Sequence, residues 1–171
     1  MKEVLIVDGY NIIGAWPELK KLRDIRLEEA RERLIDILAD YRAYSGMQVY
    51  VVFDAHQVPG QAVKEEQRQV HVLFTREKET ADELIERLVS DLQGRRRQVY
   101  VATSDMTEQH VIFGRGALRL PARELFTKVK ESQREIGRRL ETERQEKANR
   151  LDARLSDEVK QLFEKWRRGQ S

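Results

Sequence analysis

The chain contains no cysteine. That absence excludes disulfides, thiolate-held zinc and a cysteine nucleophile, and it suits a reducing compartment. Glycine and proline are sparse, at nine and three of 171 residues. No G-x-G-x-x-G or Walker A arrangement occurs, so the dinucleotide and P-loop fingerprints are missing. No apolar run approaches the roughly 18 residues of a membrane-spanning helix. The N-terminal apolar stretch, residues 4–7, is too short for a secretory signal. A cytoplasmic location with no membrane partner is therefore expected. His56, His71 and His110 lack the spacing of a shared metal site. His71 alternates within an apolar run and reads as structural.

Neither sign of charge dominates, with 32 Lys and Arg against 30 Asp and Glu. Their distribution is uneven. Residues 128–171 hold 13 basic and 9 acidic side chains, and residues 1–127 hold 19 and 21. A basic tail on a slightly acidic body suits contact with a polyanion such as RNA. A solvated helix of mixed charge fits the same composition. The length allows one ordinary domain plus an appendage, divided here as 1–127 and 128–171.

Short apolar, β-branched runs mark buried parallel strands at residues 4–7, 49–53, 70–74 and 99–102, with a shorter one at 118–120. Between them lie helical patterns. Residues 26–44 carry Leu27, Ala30, Leu34, Ile37, Leu38 and Tyr41 on one face, and Ser45 and Gly46 stop that helix. Residues 80–92 repeat the pattern through Ala81, Leu84, Ile85, Leu88 and Leu92. Thr80 followed by Glu83 forms a capping box at its start. Residues 106–113 read as a further helix, and residues 54–69 begin as a polar loop. Strands alternating with helices predict a three-layer α/β/α domain around a mostly parallel sheet. From residue 122 to 168 there is no proline, and Gly137 is the one glycine. That stretch predicts an extended C-terminal helical arm, with a bend at Gly137 as one option. Its apolar stripe of Leu151, Leu155, Val159, Leu162 and Trp166 is expected to pack on something.

Three aspartates occupy equivalent places. Asp8 ends the first run, Asp54 ends the second, and Asp105 follows the fourth through Thr103 and Ser104. In an open parallel sheet the carboxyl ends of the strands share one edge, where ligands bind. Asp82, in the first turn of the capped helix, opens onto that edge. Any one of these is commonly a turn former or a cap. Four converging carboxylates would repel one another, and a divalent cation relieves that conflict. All-oxygen ligation suits Mg²⁺ or Mn²⁺. Other acidic chemistries lack their partners. A haloacid-dehalogenase nucleophile wants a second Asp at position 10, where Tyr10 stands. A phosphoacceptor domain wants paired acids near position 8.

Four motifs appear in order: Asp8-Gly9-Tyr10-Asn11-Ile12-Ile13, Val52-Phe53-Asp54-Ala55, Thr80-Ala81-Asp82-Glu83-Leu84-Ile85-Glu86 and Ala102-Thr103-Ser104-Asp105. Together they resemble the NYN branch of the PIN-like nucleases, and in particular its bacterial YacP-type members, over about residues 3–127. The basic helical extension is similar to that subgroup too. The resemblance implies a metal-dependent endoribonuclease acting on RNA, and more narrowly on mRNA in association with the ribosome. It carries the catalytic and metal positions onto Asp8, Asp54, Asp82 and Asp105. It also implies that Asn11 fixes Asp8 or a metal-bound water, and that Thr103 and Ser104 do the same for Asp105. Glu86, one turn after Asp82, is either a supporting acid or a surface residue.

RNA must reach the acidic edge, so basic residues in the adjoining loops are candidate phosphate contacts. These are Lys64, Arg68, Arg76, Lys78 and Arg123, with Asn11 and Ser104 as polar contacts. His56 is a further candidate, and Trp16 is either a base-stacking platform or a cover for the core. Arg95, Arg96 and Arg97 lie between a helix end and a strand start, so they fall on the opposite edge and read as a solvated cap or a contact to a larger partner. Two functions of other classes compete with the nuclease: a catalytically silent RNA- or ribosome-binding module, and a small-molecule phosphatase.

Overall fold

The structure is a computed structural model that describes residues 2–55, 64–94, 96–104 and 116–169, with the side chains of residues 64–67 left aside. Its central strand β1 (Lys2–Asp8) is buried from Val4 onward. A strand with helices on both faces needs an unbroken apolar run of this kind rather than alternation. Around it lie β2 (Gln48–Phe53), β3 (Lys64–Gln67), β4 (Val70–Phe74), β5 (Arg97–Ala102) and β6 (Leu118–Leu120), in the order β3-β4-β2-β1-β5-β6. Five strands are parallel, and β3 pairs antiparallel with β4 at the edge. The register sets Asp8 beside Val52 and Val7 beside Ala102. The carboxyl ends of β1, β2 and β5 are thereby level.

Helices α1 (Gly9–Ala15), α2 (Pro17–Ile25) and α3 (Leu27–Ser45) and the first turns of α5 (Ala122–Arg167) cover one face. Leu5, Val7, Ile12, Leu19, Leu34, Leu38, Val51 and Leu125 meet there. Helix α4 (Ala81–Leu92) covers the other face, burying Leu84, Ile85 and Val89 on Val4, Ile6, Val52 and Val101. Both expected helix boundaries are present. The Glu83 amide donates to the Thr80 hydroxyl at 3.2 Å, and α3 ends at Gly46 in the left-handed region, φ 74°.

Two regions hold elements that the sequence pattern does not announce. Residues 9–25 form two helices, and part of the polar stretch 54–69 forms β3. The expected helix at 106–113 lies outside the described residues.

Contacts divide the chain into two units, Met1–Gln133 and Arg134–Ser171. The last residue of α5 buried in the first unit is Ser132. In the second unit the helix runs on through Gly137, and Leu151, Leu155, Val159, Leu162, Phe163 and Trp166 are exposed. The apolar stripe expected to pack is therefore open to solvent. Each buried Leu or Ile of the first unit contributes about 1.5–3 kcal/mol of transfer free energy. Exposed pairs such as Arg139–Glu135 and Arg144–Glu141 contribute at most about 0.5 kcal/mol each. Stability accordingly resides in the sheet unit. Among the described residues no helix is long and apolar enough to cross a membrane.

Candidate active site

Asp8 is the last residue of β1, and the residue is only 8% exposed. The Thr103 hydroxyl, at the end of the neighbouring β5, approaches Asp8 Oδ2 at 3.5 Å. The turn out of β1 is tight. A Cβ at Gly9 would overlap the Phe53 ring and lie 3.0 Å from the Val52 carbonyl oxygen. Glycine here lets α1 begin directly behind Asp8.

Asp54 follows β2 and is partly exposed. Its position is set by Thr75, a buried residue at the end of β4. The Thr75 amide donates to the Phe53 carbonyl at 3.0 Å, and the Ala55 amide donates to the Thr75 hydroxyl at 2.8 Å. These two bonds bracket Asp54. The Tyr10 ring packs on Phe53 with centroids 5.1 Å apart, and Arg31 donates to the Tyr10 hydroxyl at 3.2 Å. Burial pushes the Tyr10 phenol above its ordinary value. Arg31 lowers it in part by hydrogen bond and charge, and the Asp54 carboxylate raises it further.

Asp82 is exposed in the first turn of α4, where the helix dipole favours an acid. The loop before it holds a buried acid that the sequence does not single out. Glu79 accepts from Arg87 Nη1 at 2.9 Å and from the Arg76 amide at 3.1 Å. That pairing fixes the approach to α4 and leaves Glu79 a structural role.

Among the described residues Asn11 takes a partner other than Asp8, and the expected support of Asp105 by Thr103 and Ser104 falls outside them. The Asn11 carboxamide oxygen accepts from both the Ser104 amide, at 2.7 Å, and the Ser104 hydroxyl, at 2.9 Å. Asn11 therefore holds the end of β5 rather than Asp8, while Thr103 reaches Asp8. Asp105, the next residue after Ser104, lies outside the described residues, as do His56 and Arg95. Among the described residues no three His, Cys, Asp or Glu side chains come close enough to hold a metal. Asp8, Asp54 and Asp82 share the edge without closing into a three-carboxylate cluster.

The basic candidates divide. Arg76 and Lys78 are exposed in the loop between β4 and α4, on the acidic edge. Lys64 begins β3 opposite Leu73, which places its backbone near that edge. Arg123 is exposed in the first turn of α5 and lines a recess of about 380 Å³ with Ser104 and Arg119. Arg119 has no motif to announce it, and its buried Nε has no hydrogen-bond partner among the described residues. Arg68 is a correction. The β3–β4 hairpin carries the chain to the opposite edge, where Arg68 pairs with Asp36 at 3.3 Å and Asp40 at 2.9 Å. Trp16 is another. It is 3% exposed, donates Nε1–H to the Ala122 carbonyl at 3.0 Å and packs edge-on against Phe126. It pins α5 to the sheet and has no free face for a base. His71 stacks on Tyr50 at 4.5 Å, as a structural residue would.

The chain is similar to known proteins along nearly its whole length. It is 52% identical over 167 residues to the uncharacterized protein YacP of Bacillus subtilis (strain 168), covering 98% of each chain. The crystal structure of Rae1 (YacP) from Bacillus subtilis matches with a TM-score of 0.77 at 52% identity, over 97% of this chain and 95% of that one. A single-residue variant of the same protein matches with a TM-score of 0.74 at 50% identity, over 83% of each chain. The pattern of the YacP-like NYN domain covers residues 5–168, and the chain belongs to that family, a branch of the PIN-like nuclease superfamily.

Proposed function

We propose that this protein is a metal-dependent endoribonuclease that hydrolyses RNA phosphodiester bonds at the carboxyl edge of the sheet, acting in the cytoplasm on mRNA in association with the ribosome. The observation that carries this is the Asp8 carboxylate, held 8% exposed at the end of the central strand with Asp54 and Asp82 opening on the same edge. A buried carboxylate with further acids opening on the same edge is a setting that a bound cation stabilises. The donor set is all oxygen, which fits Mg²⁺ or Mn²⁺ better than a softer ion. Asp8, Asp54, Asp82 and Asp105 are the residues that would hold it. When bound, such an ion lowers the pKa of water and neutralises charge on a phosphate.

The chain's own residues supply the rest. Thr103 and Gly9 fix the position of Asp8, and Thr75 brackets Asp54. Asn11 and Ser104 hold the segment that leads to Asp105. Arg76, Lys78 and Arg123 line the approach and suit phosphate contacts. Lys64 begins a strand at the same edge. The narrower choice of mRNA on the ribosome rests on the motif resemblance and on the basic surplus of residues 128–171.

The intact acids at positions 8, 54, 82 and 105 favour an enzyme over a silent binding module. The test is cleavage of an mRNA with and without ribosomes, each with Mg²⁺ or with a chelator. Cleavage dependent on Mg²⁺ and enhanced by ribosomes supports the proposal. Ribosome binding with no cleavage under any of these conditions would assign the chain to the silent class.

A further inference from the structure

The amino edge of the sheet carries a second polar surface that the proposed chemistry leaves unused. A recess of about 760 Å³ opens there, lined among others by Lys2, Arg42, Gln48, Gln69 and His71. The strand registers show how it is built. Lys2 pairs with Arg97, Val4 with Gln48, and Tyr50 with His71. Side chains alternate across a sheet. Lys2, Arg97, Gln48 and His71 therefore fall on one face, on four adjacent strands. The set runs diagonally, because Gln48 is level with Val4 and His71 with Ile6; it spans roughly 14 Å across the strands and about 13 Å along them, at about 4.8 Å per strand and ~3.3 Å per residue.

The β2–β4 end of this row is rigid. His71 stacks on Tyr50, and Gln48 donates to the Tyr50 hydroxyl at 2.9 Å. The cations around it are available. Lys2, Arg42, Arg96 and Arg97 form no ion pair among the described residues. The Lys2 amide bonds the Arg96 carbonyl at 2.8 Å, which sets these neighbours side by side. Arg42 lies in the last turn of α3 and offsets the negative end of that helix. The one acid lining the recess, Glu3, alternates to the face covered by α3, the helix that carries Arg42, and there its charge acts on Tyr41. Arg68, on the same edge, is already paired with Asp36 and Asp40.

We infer that this amino edge is a docking surface for the phosphate backbone of RNA, separate from the acidic edge. Lys2 and Asp8 are six residues apart along β1, about 20 Å at ~3.3 Å per residue. A nucleotide at the acids cannot also touch Lys2, so the surface holds a distant part of the substrate or a structured RNA that accompanies it. The contact is to phosphates rather than bases. The aromatic ring nearest the row, Tyr50, is 7% exposed and already stacked. Point cations on a shallow polar surface position a backbone without reading sequence.

The inference rests on the RNA-directed function proposed above, and binding can be measured apart from cleavage. The probe is a short fluorescent RNA hairpin, followed by anisotropy in EDTA across a salt series. The proteins are full-length chains carrying Asp8→Asn, so that no cut confuses the signal. To this background is added Lys2→Ala with Arg97→Ala, or, as a control of equal charge, Lys20→Ala with Lys21→Ala on exposed α2. The amino-edge pair should weaken binding about tenfold at moderate salt and reduce the slope of log K against log salt by roughly 1.5–2, the value for two phosphate contacts. The control should leave both within twofold. A second, unrelated hairpin should lose the same factor. Equal effects of the two pairs, or none from the amino-edge pair, would overturn the inference. Should the alanine pair fail to fold by thermal melting, Lys2→Gln with Arg97→Gln keeps side-chain length and is read in its place. If binding falls as expected while the Asp8-intact chain never cuts RNA, the docking surface stands and the nuclease proposal falls.

Discussion

The side chain of Asn11, in the first turn of α1, holds Ser104, 93 residues away in sequence, by two hydrogen bonds to one carboxamide oxygen. Because Ser104 directly precedes Asp105, this pair joins the segment after β1 to the segment after β5. Asn11→Ala removes the acceptor. It is expected to cost about 1–2 kcal/mol in stability, since two donors lose a partner, and to lower RNA cleavage by about 10–100-fold through loss of positioning. Asn11→Asp keeps an acceptor oxygen and should retain most of the stability. Denaturant melts and a cleavage assay on both variants check this, and equal stability loss in the two would remove the hydrogen bonds as the cause.

Gly9 lies against the fully buried Phe53 ring and the Val52 carbonyl. Gly9→Ala forces that ring or the turn after Asp8 to shift. The expected cost is about 1–3 kcal/mol, the usual range for overpacking, with a lower Tm. The companion Gly137→Ala meets no atom within 4 Å and should stabilise its helix by about 0.5–1 kcal/mol. Thermal melts of the two variants should move in opposite directions.

The core strands and the helix caps were legible because their signals are local. A continuous apolar run made β1, and Thr80 with Glu83 made the start of α4. Helix α1 was not legible. Its sequence, Gly-Tyr-Asn-Ile-Ile-Gly-Ala, has two glycines and two β-branched residues, a poor helix former. Burial of Ile12 and Ile13 on the sheet holds it instead. The strand β3 reads Lys-Glu-Glu-Gln and is held by backbone pairing to β4. Its hairpin explains the misplacement of Arg68, since an antiparallel return delivers the turn to the far edge. The places of Asp8 and Asp54 at the carboxyl edge were legible from strand ends alone, while Asp105 lies outside the described residues. The pairing of Asn11 with Ser104, and of Thr103 with Asp8, was not legible, because it depends on where β1 and β5 end relative to each other.

Tyr41 is buried on α3, and desolvation raises its phenol above the ordinary value of 10.0, with Glu3, Tyr44 and Glu131 adding to the rise. A raised acid favours its neutral form in the folded state. Its contribution is therefore fully present below about pH 10, the unfolded value, and is lost as pH climbs through the higher folded value. Tyr41→Phe should show a shallower loss of stability above that pH than the parent. Chemical denaturation across an alkaline pH series checks the slope.

The buried residues of α5 end at Ser132. Removal of residues 138–171 should thus leave the sheet unit folded, with its near-ultraviolet signal intact and its Tm within a few degrees. Affinity for ribosomes or RNA should fall, and the salt dependence should weaken as Lys and Arg contacts are lost. A truncated chain that does not fold would show that the arm is structural.

The most direct test of the acidic edge is RNA cleavage by Asp8→Asn beside the parent, each with Mg²⁺ and with EDTA. Asparagine preserves the volume at the end of β1 and removes the charge that would hold a cation. The parent should cut RNA with Mg²⁺ and not with EDTA. Asp8→Asn should fold normally and cut at least about 100-fold more slowly, in line with the loss of a positioned metal and water. Parent-like cleavage by Asp8→Asn, or parent cleavage undiminished by EDTA, would contradict a metal-dependent site at this edge.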